Sequence, residues 1–402
     1  MKDYDLFSRR FKADPFPTFA RLRAEDPVYC HVAPNGLRIW YISRYEDVVT
    51  VLNDGERFVK NIHNAASAAE VQDKAPTSNI LQLINQNMLF ADPPDHTRLR
   101  ALVGQAFTPR RVEALVPRIE QVAEELLAEL APAGQMELID DYAFPLPLTV
   151  IMDLLGVPLA DSEQVRDWSR AIIAPGSHGI SYGERKRKIR AFVDYIFELA
   201  EQRRRQPAED LLTALVQADA GGDQLTQQEL GSMVVLLLVT GHETVVNLIG
   251  NGAYVLLGQP EARQQLVADS VAAELIVEEL LRFDGPVETS TTRWAREDLL
   301  FKGQQIRRGD LVRVVLSSAN RDEAQFDEPD QFCPLRQPNP HLAFGRGIHY
   351  CLGAPLARHE GRIALRALFG RWPAIELAVP VEELVWRSGV LFRGLKTLPL
   401  RW

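Results

Sequence analysis

The chain has 402 residues, 46% of them hydrophobic and 25% charged, with 54 acidic against 45 basic side chains and a net charge of −9. This balance excludes a disordered or low-complexity chain, and an acidic protein is a poor electrostatic match for a nucleic-acid backbone. Three cysteines, Cys30, Cys333 and Cys351, are too few and odd in number for a disulfide framework and fit a reducing cytoplasm.

Met1-Lys2-Asp3-Tyr4-Asp5 opens with charges and carries no apolar signal segment. Strand-like alternation appears first at Leu37–Ile42, and the piece around Val28–Ile42 is a candidate partner for a later strand at Leu311–Leu316. Asn61–Asn87 reads as irregular. Asp92-Pro93-Pro94-Asp95 stops the chain and offers a helix start at His96. Apolar residues at helical spacing predict helices over Val112–Leu130, Ile189–Arg205, Gln228–Gly258 and Val271–Phe283, with a second irregular stretch at Ala174–Tyr182. Further strands are predicted at Thr289–Ala295, Leu311–Leu316 and Val385–Leu398. The most apolar run, Met233–Val239, is too short to span a bilayer, so a soluble cytoplasmic protein is expected. With no linker and no internal repeat, residues 1–402 are predicted to form one domain. It is mainly α with small β-sheets, and its core is large enough to enclose a cofactor.

Near the C-terminus, Phe344-Gly345-Arg346-Gly347-Ile348-His349-Tyr350-Cys351-Leu352-Gly353 frames a single cysteine with glycines. The upstream glycines let the backbone fold closely around the sulfur, and Ala354-Pro355-Leu356-Ala357-Arg358 reads as the first turns of a helix. Such a helix aims its amides and positive dipole end at Cys351, which favours the thiolate. Taken alone, a buried cysteine in a Gly-rich turn is the structural alternative. The pattern Phe-Gly-x-Gly-x-His-x-Cys-x-Gly resembles the haem-binding signature of the cytochrome P450 family of haem-thiolate monooxygenases, at every defining position. The resemblance implies a single helical domain of the cytochrome P450 fold enclosing haem b. Cys351 would be the iron ligand, and Phe344, Gly345 and Gly353 would lie around it.

Glu279 and Arg282 share one helical face and resemble the family's Glu-x-x-Arg pair, with Arg336 as the third member of a buried ionic network behind the cysteine loop. Thr240-Gly241-His242-Glu243-Thr244 ends an apolar helical run. On an isolated helix, Thr244 would back-bond to a carbonyl and Glu243 would reach solvent. The segment is similar to the family's Ala/Gly-Gly-x-Asp/Glu-Thr, which implies that Gly241 leaves room for dioxygen. Thr244 would then hydrogen-bond the oxygen being activated and Glu243 would relay protons. Thr240 stands where relatives carry a small residue, and Val245 where many carry a second threonine. His96 and Arg100, four apart on a predicted helix, look like the propionate-binding His-x-x-x-Arg, and Arg293 and His349 match the other propionate contacts. His341 is expected only to pack.

Leu236, Leu237 and Thr240 sit on one segment that lines the family's pocket, and Val287, Thr289, Leu391 and Phe392 sit on others. They imply an apolar small-molecule substrate such as a macrolide, terpene, steroid or fatty acid. Glu288 is open to a basic or polyhydroxylated substrate group, or to solvent. The chain has no Gly-x-Gly-x-x-Gly and no cysteine set for an iron–sulfur cluster, so there is no separate reductase domain. Electrons would then come from a ferredoxin or flavodoxin with its reductase. Arg98, Arg100, Arg110, Arg111, Arg346, Arg358 and Arg362 are candidates for a basic patch that steers such a partner. Two alternatives remain at this stage: a peroxide-driven oxygenase or isomerase, and a haem-based sensor without turnover. Glu243 and Thr244 argue against both.

Overall fold

The structure, a computed structural model, describes residues 4–67, 84–173 and 180–402. Most of Asn61–Asn87 and of Ala174–Tyr182, expected to be irregular, lies outside the described residues. The chain begins with helices α1 (Arg9–Ala13) and α2 (Phe16–Glu25), strands β1 (Val28–Val32) and β2 (Arg38–Ile42), helix α3 (Tyr45–Asn53) and strand β3 (Phe58–Val59). Helices α4 (Asp95–Ala106), α5 (Pro109–Ala114) and α6 (Val116–Leu130) precede strand β4 (Gln135–Glu137). Six helices follow: α7 (Pro145–Leu155), α8 (Ser162–Ile173), α9 (Tyr182–Arg205), α10 (Leu211–Gln217), α11 (Gln227–Leu257) and α12 (Pro260–Ala268). The C-terminal part holds α13 (Ser270–Asp284), β5 (Arg293–Ala295), β6 (Leu299–Phe301), β7 (Gln304–Ile306), β8 (Leu311–Val314) and α14 (Leu316–Ala319). It ends with α15 (Ala354–Arg371), β9 (Glu376–Leu377) and β10 (Pro399–Arg401).

Two compact units result. The first comprises Met1–Ala68, Ala123–Pro145 and Thr244–Trp402 and contains every strand. Its five-stranded sheet has the order β1-β2-β8-β5-β3, with β2 parallel to β8 in the register Ile39↔Leu311 to Ile42↔Val314. The partnership expected between these segments is therefore present. Val28, Trp40, Ile42, Phe58, Val312 and Val314 from this sheet pack with Val48 and Val51 of α3. On the N-terminal side, Tyr4, Leu6, Phe11, Phe19 and Leu22 pack with Tyr29, Tyr41 and Val315. The second unit, Ala69–Val122 and Leu146–Glu243, has helices and connecting loops but no strand among its described residues. Within it α8 packs on α9, α9 on α10 and α10 on α4.

Local sequence explains several helix starts. The side chains of Ser8, Ser181, Asp210 and Asp269 accept backbone N–H bonds from the first turns of α1, α9, α10 and α13. The helix expected over Val112–Leu130 is split, α5 ending at Ala114 and α6 starting at Val116. Pro117 is the cause, because it has no N–H to donate and its ring would clash with the carbonyl four residues back in a continuous helix. By length and composition α11, at 31 residues, could cross a membrane, yet its most apolar window is 78% buried within the protein. Its hydropathy is that of a helix enclosed on nearly all sides.

The strands near the C-terminus are shorter than predicted. Of Thr289–Ala295 only Arg293–Ala295 joins the sheet, while Thr289 makes a single bridge to Val315. Leu316 begins α14 rather than ending a strand. Val385–Leu398 forms no long strand. The chain doubles back on itself there, with Arg387 N–H donating to the Gly394 carbonyl and Lys396 N–H to that of Val385, around Gly389 at φ 115°. Alternation in that stretch records two arms of a turn.

Candidate active site

The site is built first around Cys351. Gly345 and Gly347 adopt φ of 71° and 73°, a region open to glycine at little cost. The Cys351 N–H donates to the Phe344 carbonyl at 3.0 Å, and the Tyr350 N–H closes a tight turn onto Gly347 at 3.0 Å. A Cβ on Gly347 would come within 2.8 Å of the Leu52 carbonyl, so the loop lies directly against the end of α3. α15 starts three residues after Cys351, with Pro355 in its first turn, and presents unsatisfied amides toward the loop. Cys351 is half-buried and forms no disulfide. A Cβ on Gly353 would meet nothing within 4 Å, and one on Gly345 only the His349 carbonyl at 4.0 Å. The sulfur therefore lies between two positions clear of side chains, a fit for a flat ring ligated from this side.

Behind the loop, the expected Glu279–Arg282–Arg336 network is assembled. Glu279 and Arg282 of α13 are fully buried and joined by two hydrogen bonds, Nε to Oε2 at 2.8 Å and Nη2 to Oε1 at 2.7 Å. Arg282 also donates to the carbonyls of Asn320, Pro329 and Gln331 at 2.8 to 3.0 Å. Glu279 accepts from Arg336 Nε at 3.2 Å, from Cys333 N–H at 2.8 Å and from Asn339 Nδ2 at 3.2 Å. The carboxylate's desolvation is thus offset by charge-assisted bonds.

A second network was not anticipated. Glu278, next in sequence, accepts from Arg358 Nε and Nη2 at 2.6 and 2.9 Å and from His341 Nε2 at 3.0 Å. His341 Nδ1 in turn accepts the Ala343 N–H at 3.2 Å. His341 is therefore more than packing: it ties α13 to the strand of chain leading into the cysteine loop. The Arg358 guanidinium lies 4.5 Å from the centre of the Phe344 ring and holds the loop from the α15 side. Burial would raise the Glu278 carboxyl, but the hydrogen bonds from His341 and Arg358 outweigh it and bring it down to about 2.

In the middle of α11, Thr240 is exposed and Leu236, Gly241 and Thr244 are half-buried, while the other residues from Leu230 to Ala253 are buried. The 236, 240, 244 spacing makes this one accessible stripe. Leu237, beside it, is buried, and Thr240 donates its hydroxyl to the Leu236 carbonyl at 2.8 Å. Glu243 is 4% exposed, so it is not the solvent-facing acid of an isolated helix. The role expected of Gly241 needs correction. A Cβ there would lie 3.0 Å from Ile151 of α7, so the missing side chain makes room for a neighbouring helix.

The four propionate candidates divide between the two units. In the second, His96 and Arg100 lie one turn apart on α4. Burial lowers the His96 pKa, and the charge of Arg100 lowers it further. In the first, Arg293 is buried in β5 and His349 half-buried in the turn before Cys351. Val287, Leu391 and Phe392 are half-buried, but Thr289 is buried with its hydroxyl donated to the Val390 carbonyl at 2.7 Å. Glu288 faces neither substrate nor solvent: it is 2% exposed and bonded to Lys12 Nζ at 2.6 Å. Among the basic-patch candidates, Arg98 pairs with Glu229 and Asp223, and Arg358 with Glu278, while Arg110 and Arg346 are exposed.

The family model for cytochrome P450 matches residues 271–373, which hold Glu279, Arg282, Arg336 and Cys351. Over 403 aligned residues the sequence is 43% identical to the cytochrome P450 monooxygenase PikC of Streptomyces venezuelae, covering 100% of this chain and 94% of that protein. The chain belongs to the cytochrome P450 family. Like other cytochromes P450 it carries haem b on a cysteine thiolate, uses a redox partner, and incorporates oxygen from O2 into an apolar substrate. This cytochrome P450 is also 40% identical to the vitamin D(3) 25-hydroxylase of Pseudonocardia autotrophica, over 99% of this chain and 96% of that one. The crystal structure of the myxobacterial cytochrome P450 CYP267B1 in complex with myristic acid matches it with a TM-score of 0.93 and 40% identity. That match covers 100% of this chain and 99% of the other.

Proposed function

We propose that this cytochrome P450 hydroxylates a bulky, largely apolar molecule of the macrolide, terpene, steroid or fatty-acid class. Its electrons would come from a separate ferredoxin or flavodoxin served by a reductase, in a cytoplasmic setting. The observation that carries the reading is Cys351, half-open between side-chain-free positions at the start of α15. The relatives' names extend to vitamin D(3) hydroxylation and a myristic acid complex, both large apolar molecules. Because relatives align over the full length, we also propose that residues 1–402 act as one cytochrome P450 domain.

Haem b, bound through Cys351, would supply the activation of dioxygen and the insertion of one of its oxygen atoms into a C–H bond, the other leaving as water with two electrons from the redox partner and two protons. In our reading Cys351 Sγ is held as thiolate by the amides at the α15 N-terminus, within a loop shaped by Phe344, Gly345 and Gly353. His96, Arg100, Arg293 and His349 neutralise the propionates by charge-assisted bonds. Thr244 Oγ1 donates a hydrogen bond at the reacting oxygen, and Glu243 passes protons to Thr244 Oγ1. Leu236, Leu237, Thr240, Val287, Leu391 and Phe392 are the residues that contact the substrate in this reading. Thr289, whose hydroxyl proton goes to the Val390 carbonyl, offers a substrate only acceptor capacity.

The test is to reduce the purified holoenzyme, add carbon monoxide and record the Soret band. A surrogate ferredoxin and reductase would then turn over myristic acid and vitamin D3 under isotopically heavy O2. A far red-shifted Soret band and heavy oxygen in a hydroxylated product are expected. A band at the position of histidine-ligated haem overturns the Cys351 assignment, and product oxygen drawn from water overturns the monooxygenase reading.

A further inference from the structure

The segments that carry Val287 and Phe392 run side by side. Glu288 N–H donates to the Leu391 carbonyl at 2.8 Å, Arg393 N–H donates to the Pro286 carbonyl at 2.9 Å, and Val287 and Phe392 pair across the bridge. Side chains alternate along such a ladder. Val287 is half-open on one side, so its neighbour Glu288 is directed into the protein, where it is 2% exposed. There its Oε1 meets Lys12 Nζ of α1 at 2.6 Å, and its Oε2 is buried without a hydrogen-bond partner. Lys12 is itself only 4% exposed.

The neighbouring arm of the ladder is fixed from the same quarter. Arg393 forms a buried ion pair with Asp284, donates to the Lys12 carbonyl at 2.8 Å and stacks 3.8 Å from the centre of the Trp386 ring. Its own carbonyl accepts from Asn251 of α11 at 3.1 Å. Both arms therefore lean on one residue of the N-terminal helix, Glu288 on its ammonium and Arg393 on its carbonyl. Burial pushes the Lys12 amine down and the Glu288 carboxyl up, and in each case the partner's charge opposes the shift. Without Lys12, the Glu288 carboxylate keeps no hydrogen bond among the described residues. It must then take up a proton or draw its segment toward water, and either change moves Val287 and the Leu391 carbonyl bonded to its N–H.

We infer that Lys12 is a positioning residue for substrate selection, holding the Val287–Phe392 wall in place through its bond to Glu288. The inference rests on the proposed reading that Val287, Leu391 and Phe392 face substrate. Lys12 touches no substrate itself.

The test uses holoenzyme and two haem-ligating probes, imidazole, which is too small to reach the wall, and clotrimazole, which fills the pocket. The ratio of their affinities is read from the Soret shift. In Lys12→Met the clotrimazole affinity should fall about tenfold, while imidazole binding and the carbon monoxide spectrum stay as in the parent. That is the scale of one misplaced apolar contact. Lys12→Arg should restore the ratio, which mere loss of stability would not predict. If Lys12→Met yields no holoenzyme, Glu288→Met, which removes the acceptor of the Lys12 bond, reads the same ratio, and a parental ratio there overturns the inference. Val287→Ala separates the two layers. A ratio that moves in Val287→Ala but not in Lys12→Met overturns the role of Lys12 alone. A ratio unmoved in Val287→Ala overturns the wall and the inference with it.

Discussion

Glu278→Gln removes a charge on which two elements depend. The carboxylate takes three hydrogen bonds, two from Arg358 and one from His341, and these hold its pKa at about 2 against an ordinary 4.5. A shift of that size corresponds to about 3 kcal/mol of folding free energy at neutral pH. Its side chain is 26% exposed, and solvent screening reduces the expected effect to about 2 kcal/mol. Because the folded pKa lies below the unfolded one, the contribution is complete above pH 4.5 and drains away as pH falls toward 2. The assay is urea denaturation of the holoenzyme at several pH values, followed by loss of the thiolate–carbon monoxide band. The parent should exceed the variant by about 2 kcal/mol at pH 7, with the gap steady down to about pH 5 and narrowing below it. A gap within about 0.5 kcal/mol at pH 7, the range of ordinary surface changes, would refute the network's importance. So would a gap that widens on acidification.

Thr244→Ala should raise the share of reducing equivalents lost as hydrogen peroxide while substrate-induced spectral shifts persist. Unchanged coupling of NADPH consumption to product would mean that protons travel by another route. Gly347→Ala combines a left-handed backbone conformation, at a cost of about 1–2 kcal/mol, with a contact on the Leu52 carbonyl. Gly36→Ala has φ of 81° but open space around it, so it carries the backbone cost alone. The Soret melting midpoint should therefore drop further for Gly347→Ala, and equal midpoints would show that the loop yields freely.

What could be read in the sequence was whatever depends on short spacing. Glu279 and Arg282 share a helical face because they are three residues apart, and Cys351 is flagged by the glycines around it. That β2 and β8 are strands was legible because both segments alternate, whereas their parallel pairing across about 270 residues was seen only in the fold. Partners brought from a distance were not legible. Glu278 lies beside Glu279, but successive side chains on a helix point about 100° apart. Its partners His341 and Arg358 stand 63 and 80 residues downstream. Lys12 and Glu288 are 276 residues apart, and a lysine in a short N-terminal helix reads as an ordinary surface residue. Gly241 shows the same limit, since smallness is visible in sequence but the direction of the absent Cβ is not. The split at Leu115 was a local miss with Pro117 as its signal, and the turn within Val385–Leu398 was another, with Gly389 as its signal.

Arg282 has a further consequence for anyone who would move this haem loop into another scaffold. A guanidinium has five N–H donors, and here each has an acceptor: two carboxylate oxygens of Glu279 and the carbonyls of Asn320, Pro329 and Gln331. None is left over. Lysine, with three donors and no fixed fork, would strand at least two of those acceptors in the interior. The helix, its arginine and the chain from Asn320 to Gln331 thus form one indivisible part, to be transplanted whole or not at all.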